Sequence, residues 1–430
     1  MNEEIKQKAN YCLKCMKPQC AMHGCPLENH IPEFIQKVKE EDYQGAYEIL
    51  CQTTVLPAIC GRICPHFKQC QGKCIRGIKG EPVSIGEIEA FIGDWALQKP
   101  DSLLNSYPKV AKEEYKQNGK KHIAVIGGGP AGLTCSAFLR QKGFKVTIYE
   151  KYDSLGGILR RGIPDFRLPK DILDKTIEQV LNLGIETKYN QELGKNLQLS
   201  DLEKEYDAIF LSIGANIPRK MMIEGEQIKG VFGGNTLLEE GIHPNYTGKK
   251  VAVIGGGNVA MDCARTIKRL GAEKVTVIYR REEEQMPAET KEIEEAKKEG
   301  VQFLFKTNIT KILGENKVEE IECIKMELVE KPGETRKFPI EVPNSNYTLP
   351  MDYVVMAVGS KADLELLEKQ SLPATSKKYL EVNSKNRIEG TNIFAGGDIV
   401  GQTATVAWAA SDGRKAAEQI EEYLENKIYL

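Results

Sequence analysis

Short apolar runs rich in Val and Ile alternate along most of this chain with longer stretches in which apolar residues recur every three or four positions. That is the pattern of a parallel sheet layered with helices. Two of the runs break into glycines in the same way. The first is His122-Ile123-Ala124-Val125-Ile126, followed by Gly127-Gly128-Gly129-Pro130-Ala131-Gly132. The second is Val251-Ala252-Val253-Ile254, followed by Gly255-Gly256-Gly257-Asn258-Val259-Ala260. Each predicts a buried strand, a tight turn and a small-residue helix. Glycines permit the turn and let backbone approach a pyrophosphate, while the helix N-terminus offers unpaired N–H groups to the phosphates.

One such turn is weak evidence; two, each followed by helix and strand, carry more. The next strands differ where a ribose would sit. Phe144 to Tyr149 ends in Glu150 and Lys151, and the acid is an acceptor for ribose hydroxyls. Lys274 to Tyr279 ends in Arg280 and Arg281. A guanidinium fork suits a 2′-phosphate and an acid repels one, so the first site reads as FAD and the second as NADPH.

The same periodicities place the remaining elements. Helical spacing runs around Phe34, Ile35 and Val38, around Tyr43, Ala46, Tyr47 and Leu50, and from Pro169 to Leu183 with a stop at Gly184. It recurs from Pro287 to Lys298 with a stop at Gly300, and from about Thr405 to Tyr423. Tyr206 to Gly214 and Tyr353 to Gly359 read as buried strands, and Asn392 to Ala395 ends in Gly396-Gly397-Asp398. Segments between Ile309 and Met351, broken at Lys331-Pro332-Gly333-Glu334, predict an antiparallel excursion. Leu97 to Lys120, with Pro100 and Pro108, reads as a linker. Gly156 and Gly157, ahead of Arg160, Arg161 and Gly162, could lie against a flavin ring or form a surface turn.

At 430 residues the chain suits two or three domains, and 59 basic against 61 acidic residues argue against a nucleic-acid partner. No apolar stretch is long enough to cross a bilayer, and Met1-Asn2-Glu3-Glu4 lacks signal-peptide character, so a cytoplasmic location is expected. The histidines lack the neighbours of a catalytic base, so no catalytic side chain is expected beyond flavin chemistry. Cysteine usage changes the picture most. Nine of the 12 lie in the first 74 residues, as Cys12-x2-Cys15-x4-Cys20-x4-Cys25-Pro26, Cys51, and Cys60-x3-Cys64-x5-Cys70-x3-Cys74. In a cytosolic chain such a cluster binds metal rather than forming disulfides. Thiolates suit iron–sulfur clusters or zinc; paired C-x2-C knuckles are missing and Cys-Pro steps favour iron–sulfur. Cys135, Cys263 and Cys323 read as core residues.

Together, the two cysteine sets, Gly127 to Gly132, Leu155 to Leu168, Gly255 to Arg265, Tyr279-Arg280-Arg281 with Met286-Pro287-Ala288, and Gly396-Gly397-Asp398 resemble one family over almost the whole chain. It is the family of the NADPH-dependent glutamate synthase small subunit, the N-terminal half of dihydropyrimidine dehydrogenase and the large subunit of bifurcating NADH-dependent ferredoxin:NADP oxidoreductase. The resemblance implies an α/β chain with an α-helical domain holding two 4Fe–4S clusters (1–118), an FAD domain in two parts (119–245 and 361–430) and an NADPH domain between them (246–360). It implies that Cys12, Cys15, Cys20 and Cys74 hold one cluster, and Cys25, Cys64 and Cys70 the other. The fourth ligand of the second is then Glu89, with Cys60 the alternative on spacing. Asp398 would face the flavin's ribityl or phosphate side, with Gly214, Gly397 and Thr405 beside the FAD; Asn258 and Val259 would flank the NADPH pyrophosphate. NADPH would reduce the flavin and single electrons would leave through the clusters. The acceptor would be a partner, either an FMN-containing catalytic subunit, glutamate synthase first, or a ferredoxin in a bifurcating reductase.

Overall fold

The computed structural model describes residues 3–106, 118–330, 337–401 and 403–426. Pro108 of the expected linker and the expected break at Lys331 to Glu334 lie outside the described residues. The chain divides into two compact units. The first comprises Met1–Arg160, Asp165–Ala215 and Ala362–Leu430, and the second Arg161–Pro164 and Asn216–Lys361.

The first unit opens with helices α1 (Glu3–Asn10), α2 (Ile31–Lys39), α3 (Tyr43–Cys51), α4 (Pro57–Ile63), α5 (Ile85–Leu97) and α6 (Ser102–Ser106). Helix α2 buries Ile31, Phe34, Ile35 and Val38 at helical spacing, and Asp42 starts α3 by accepting the Gly45 N–H at 2.9 Å. Helices α4 and α5 cross with their backbones almost touching. A β-carbon on Gly61 would stand 2.3 Å from the Ala90 nitrogen, and one on Gly93 2.3 Å from the Ala58 nitrogen. Helix α6 occupies the start of the expected linker.

A parallel sheet follows, from β1 (His122–Ile126), β2 (Lys145–Tyr149), β3 (Glu186–Lys188) and β4 (Ala208–Leu211), with helices α7 (Pro130–Gln141) and α8 (Lys170–Leu181) between them. Ile123 to Ile126 are buried throughout, as β-branched residues covered on both sheet faces should be. Gln179 on α8 joins this layer to the helical one. It accepts the Tyr47 hydroxyl at 3.2 Å and donates to the Ala96 and Lys99 carbonyls at 2.9 and 3.0 Å.

The second unit holds β5 (Val231–Gly233), β6 (Lys250–Ile254), helix α9 (Asn258–Arg269), β7 (Lys274–Tyr279), helix α10 (Thr290–Lys298) and β8 (Gln302–Phe305). It continues with β9 (Thr307–Leu313), β10 (Glu320–Val329), β11 (Phe338–Glu341), β12 (Tyr347–Pro350) and β13 (Tyr353–Met356). Its parallel sheet runs β5-β13-β6-β7-β8, and β9 to β12 form the antiparallel excursion. Residues 216–245, which the sequence reading put with the FAD domain, belong to this unit, because β5 pairs with β13. Helix α10 starts at Thr290, three residues later than the expected Pro287. Met286 precedes a proline and stays extended, and the Ala288 N–H donates to the Gly256 carbonyl at 3.0 Å, which ties this stretch to the glycine turn.

The chain then returns to the first unit as β14 (Ile393–Ala395), completing the order β14-β4-β1-β2-β3, and ends in helix α11 (Val406–Asn426), which packs along α7. At their crossing a β-carbon on Gly413 would stand 2.2 Å from the Ala131 carbonyl oxygen.

Gly93→Ala decides how much the α4–α5 crossing matters. Helix propensity alone would favour alanine by about 1 kcal/mol, whereas overpacking costs about 1–3 kcal/mol. A contact 2.3 Å from fixed backbone should win, and chemical denaturation of the variant should give a net loss of stability.

Candidate functional site

The first glycine turn is held from every side but one. Gly127 has φ +100°, and a β-carbon there would stand 2.5 Å from the Ser212 carbonyl oxygen. The Ser212 hydroxyl donates to the Gly127 carbonyl at 2.9 Å. Glu150, almost fully buried, accepts the Gly128 N–H at 2.9 Å and the Tyr152 N–H at 3.1 Å, so the acid ending β2 reaches across to brace the turn. Gly132 seats α7 against the strand, since a β-carbon would stand 1.9 Å from the Gly127 carbonyl oxygen. Gly156 donates its N–H to the Gly128 carbonyl at 2.8 Å, and Gly157, at φ +50°, lies against Gly129. A β-carbon on Gly129 would meet nothing nearer than 3.9 Å, and no side chain caps the start of α7 at Pro130 and Ala131. An uncapped helix start with bare backbone on its open side fits a pyrophosphate.

The end of β14 faces the same helix. Gly397, at φ +79°, lies against Ala131 and donates its N–H to the buried Asp412 of α11 at 2.8 Å. Burial pushes the Asp412 carboxyl up to about 6 and raises Asp398 as well. Gly214 has φ +74°. Lys151 lies 4.6 Å from the Tyr152 ring. Arg161 falls in the second unit. Ser212 and Asp412 escaped sequence reasoning. Each acts on backbone of another element, 85 and 15 residues earlier, so no local spacing announces them.

The cysteines fall into two neighbourhoods. Cys12, Cys15, Cys20 and Cys74 are half-buried and line one cavity with Leu13, Lys73, Ile75 and Arg76. Burial, with the other three thiols adding to it, pushes the Cys20 thiol up to about 12. Cys25, Cys64, Cys70 and Glu89 gather deeper: burial raises the Cys25 and Cys70 thiols, and a hydrogen bond with Cys60 together with burial raises that of Cys64. Glu89 is 5% exposed, receives one hydrogen bond, 3.3 Å from Asn29 Nδ2, and burial lifts its carboxyl to about 8. Cys60 adjoins Cys64 and Cys25 and stays buried. Buried groups that are costly as anions fit a cationic iron centre, which would supply the missing counter-charge. Gln69, beside Cys70, donates from Nε2 to Thr405 Oγ1 at 3.3 Å, which joins the deeper cysteine loop to the loop opening α11.

In the second unit, Gly255 has φ +140° and a β-carbon would stand 2.3 Å from the Ala357 carbonyl oxygen. The Tyr279 ring covers Gly256, and no side chain caps the start of α9 after Gly257, at Asn258 and Val259. Asn258 Oδ1 accepts the Glu289 N–H at 2.9 Å. Arg280 is exposed at the end of β7, and Arg281 Nε donates to the Lys337 carbonyl at 3.2 Å. An open helix start after β6, with Arg280 and Arg281 at the end of the paired strand β7, fits a phosphorylated dinucleotide. Cys135, Cys263 and Cys323 are core residues at 0% exposure.

Comparison with known proteins agrees with this geometry. Residues 121–413 match the family model for pyridine nucleotide-disulphide oxidoreductases, and residues 1–100 the model for dihydropyrimidine dehydrogenase domain II, 4Fe-4S cluster. The chain is 36% identical to the glutamate synthase (NADPH) small chain of Escherichia coli K12, over 98% of this chain and 92% of that one. It is 35% identical to the NADP(+)-dependent formate dehydrogenase subunit beta of Moorella thermoacetica, covering 93% of this chain and 59% of that one. Among solved structures, Mycobacterium tuberculosis FprA in complex with NADPH superposes with a TM-score of 0.64 at 22% identity, over 72% of this chain and 85% of that one.

Glu150→Ala removes the acceptor of the Gly128 N–H in the first turn and of the Tyr152 N–H just beyond β2. Each buried donor left unsatisfied costs about 1–3 kcal/mol. The purified variant should retain less flavin than the wild type at equal protein concentration, read from its absorbance spectrum.

Proposed function

This chain belongs to the pyridine nucleotide-disulphide oxidoreductase family, as an NADPH-dependent flavin and iron–sulfur enzyme of the glutamate synthase small-chain type, and from that premise we propose that it supplies a glutamate synthase large subunit with electrons. The observation that carries this reading is the 36% identity to a glutamate synthase small chain across 98% of this chain and 92% of the relative. When bound, NADPH and FAD would supply hydride chemistry and the clusters single-electron transfer.

The chain's own residues hold and orient. Gly127 to Gly132 and the start of α7 would bind the FAD pyrophosphate, Glu150 would keep the turn in shape, and Gly397, Asp398 and Thr405 would meet the flavin side. Gly255 to Val259 would take the NADPH pyrophosphate, with Arg280 and Arg281 on its 2′-phosphate. Cys12, Cys15, Cys20 and Cys74 would ligate one cluster, and Cys25, Cys64, Cys70 and Glu89 the other. The buried Glu89 is favoured over Cys60 because its carboxylate has a single neutral donor to offset burial.

A second reading rests on the formate dehydrogenase beta subunit, 35% identical across 93% of this chain. Related chains serve more than one assembly, and here the partner would be a different oxidoreductase. Combining the purified chain with a glutamate synthase large subunit separates the two. NADPH-dependent glutamate formation supports the first reading; absence of both glutamate formation and a complex with that subunit supports the second.

Two substitutions test the assignments. Neutral residues at Arg280 and Arg281 should weaken NADPH binding by about tenfold or more and NADH binding far less, since only NADPH carries the 2′-phosphate; equal losses would remove the role. Glu89→Ala should lower the iron content by one cluster and leave the flavin in place, and full iron would move the ligand to Cys60.

A further inference from the structure

Directly after β7 the chain carries contradictory charges. Arg280 and Arg281 suit a 2′-phosphate, yet Glu282, Glu283 and Glu284 follow without a break. A carboxylate at this place accepts the hydroxyls of an unphosphorylated ribose and repels a phosphate, so the acids pull toward NADH. Two of the three are offset by lysines. Lys297 of α10 pairs with Glu283 at 2.5 Å, and Lys306 pairs with Glu282 at 3.3 Å.

Lys306 is the less ordinary of the two. It is the single residue between β8 and β9, where the chain leaves the parallel sheet for the antiparallel one. Its φ is +48°, in the left-handed region that glycine or asparagine enters more readily. Backbone bonds on both sides hold it there. Its N–H donates to the Arg281 carbonyl at 3.0 Å, and its carbonyl accepts the Met326 N–H at 2.8 Å. A residue kept in an unfavourable conformation by its surroundings points to a role for its side chain. Here a lysine is rooted on the backbone of Arg281, and its side chain is half-exposed, so a ligand can reach the ammonium.

A cavity of about 540 Å³ opens at this point, large enough for part of a nucleotide. Lys306, Lys325 and Lys337 line it against Glu282 and Glu327, with Phe305 among its apolar walls. It lies within the second unit, by the carboxyl ends of β7 and β8, where open parallel sheets bind their ligands. Arg281 adjoins it through the bond from its Nε to the Lys337 carbonyl.

We propose that Lys306 decides for NADPH over NADH in this chain: its ammonium keeps Glu282 and takes the 2′-phosphate as a second partner, while the cavity receives the adenosine. The proposal rests on the reading that the second unit binds NADPH through Arg280 and Arg281. An ammonium has three donors, so one lysine can serve both anions. Without it, Glu282 would stand uncompensated beside the phosphate.

The test reads binding by calorimetry on the chain carrying flavin and clusters, with 2′,5′-ADP, 5′-AMP, NADPH and NADH as probes. The wild type should bind 2′,5′-ADP more tightly than 5′-AMP. Lys306→Gln should weaken 2′,5′-ADP and NADPH by about tenfold and leave 5′-AMP and NADH nearly unchanged, which also reports an intact fold. Lys306→Gln combined with Glu282→Gln has the net charge of the wild type. If it still binds 2′,5′-ADP weakly, the lysine meets the phosphate itself; recovery of wild-type affinity would mean that Lys306 only cancels Glu282, and would overturn the proposal. Equal binding of 2′,5′-ADP by the wild type and Lys306→Gln would overturn it too. A wild type that binds 5′-AMP as tightly as 2′,5′-ADP would overturn the NADPH reading itself, and with it any such role for Lys306.

Discussion

The first glycine turn answers to one constraint, that its backbone must stay open on the side a phosphate would approach. Such a turn cannot be stabilised by its own side chains, so Gly127 to Gly129 are held from outside: by Glu150 on Gly128, by Ser212 on Gly127, and by Gly157 lying against Gly129. The helix beyond it is fixed the same way. Helix α11 can approach α7 closely only because Gly413 has no side chain, and the neighbouring Asp412 reaches past it to Gly397. Neutral, close-packed backbone is thus combined with a few buried carboxylates, each placed to accept from an N–H that would otherwise go unpaired.

The cysteine-bearing helices obey a different rule. Their interior contains groups that resist ionisation where they stand, with burial raising the Cys20 thiol to about 12 and the Glu89 carboxyl to about 8. Close helix crossings at Gly61 and Gly93 nonetheless hold these groups together. The packing energy that gathers them comes from residues such as Phe34, Ile35, Leu50 and Ile59, all fully buried, and not from the cysteines.

Much of this was legible in the sequence. Both glycine turns, the acid at Glu150 and the arginines at Arg280 and Arg281 stand at the ends of elements whose periodicity announces them, because strand, turn and helix are encoded locally. The two cysteine neighbourhoods came from family resemblance; spacing alone does not separate Cys20 from Cys25. What sequence could not supply was long-range. Asp412 meets Gly397 through a helix packed on a sheet, and β5 joins the second unit by pairing with β13, more than a hundred residues later. The late start of α10 had a local warning in Pro287, but its cause is the bond from Ala288 to Gly256, which no window of sequence contains.

Gln179 has a consequence for how the two layers stay in register. Its side chain binds Tyr47, Ala96 and Lys99, so the helical layer is registered on the flavin fold by a buried amide and not by the segment connecting them. The register of one layer on the other thus rests in part on a single buried side chain, which one substitution would remove.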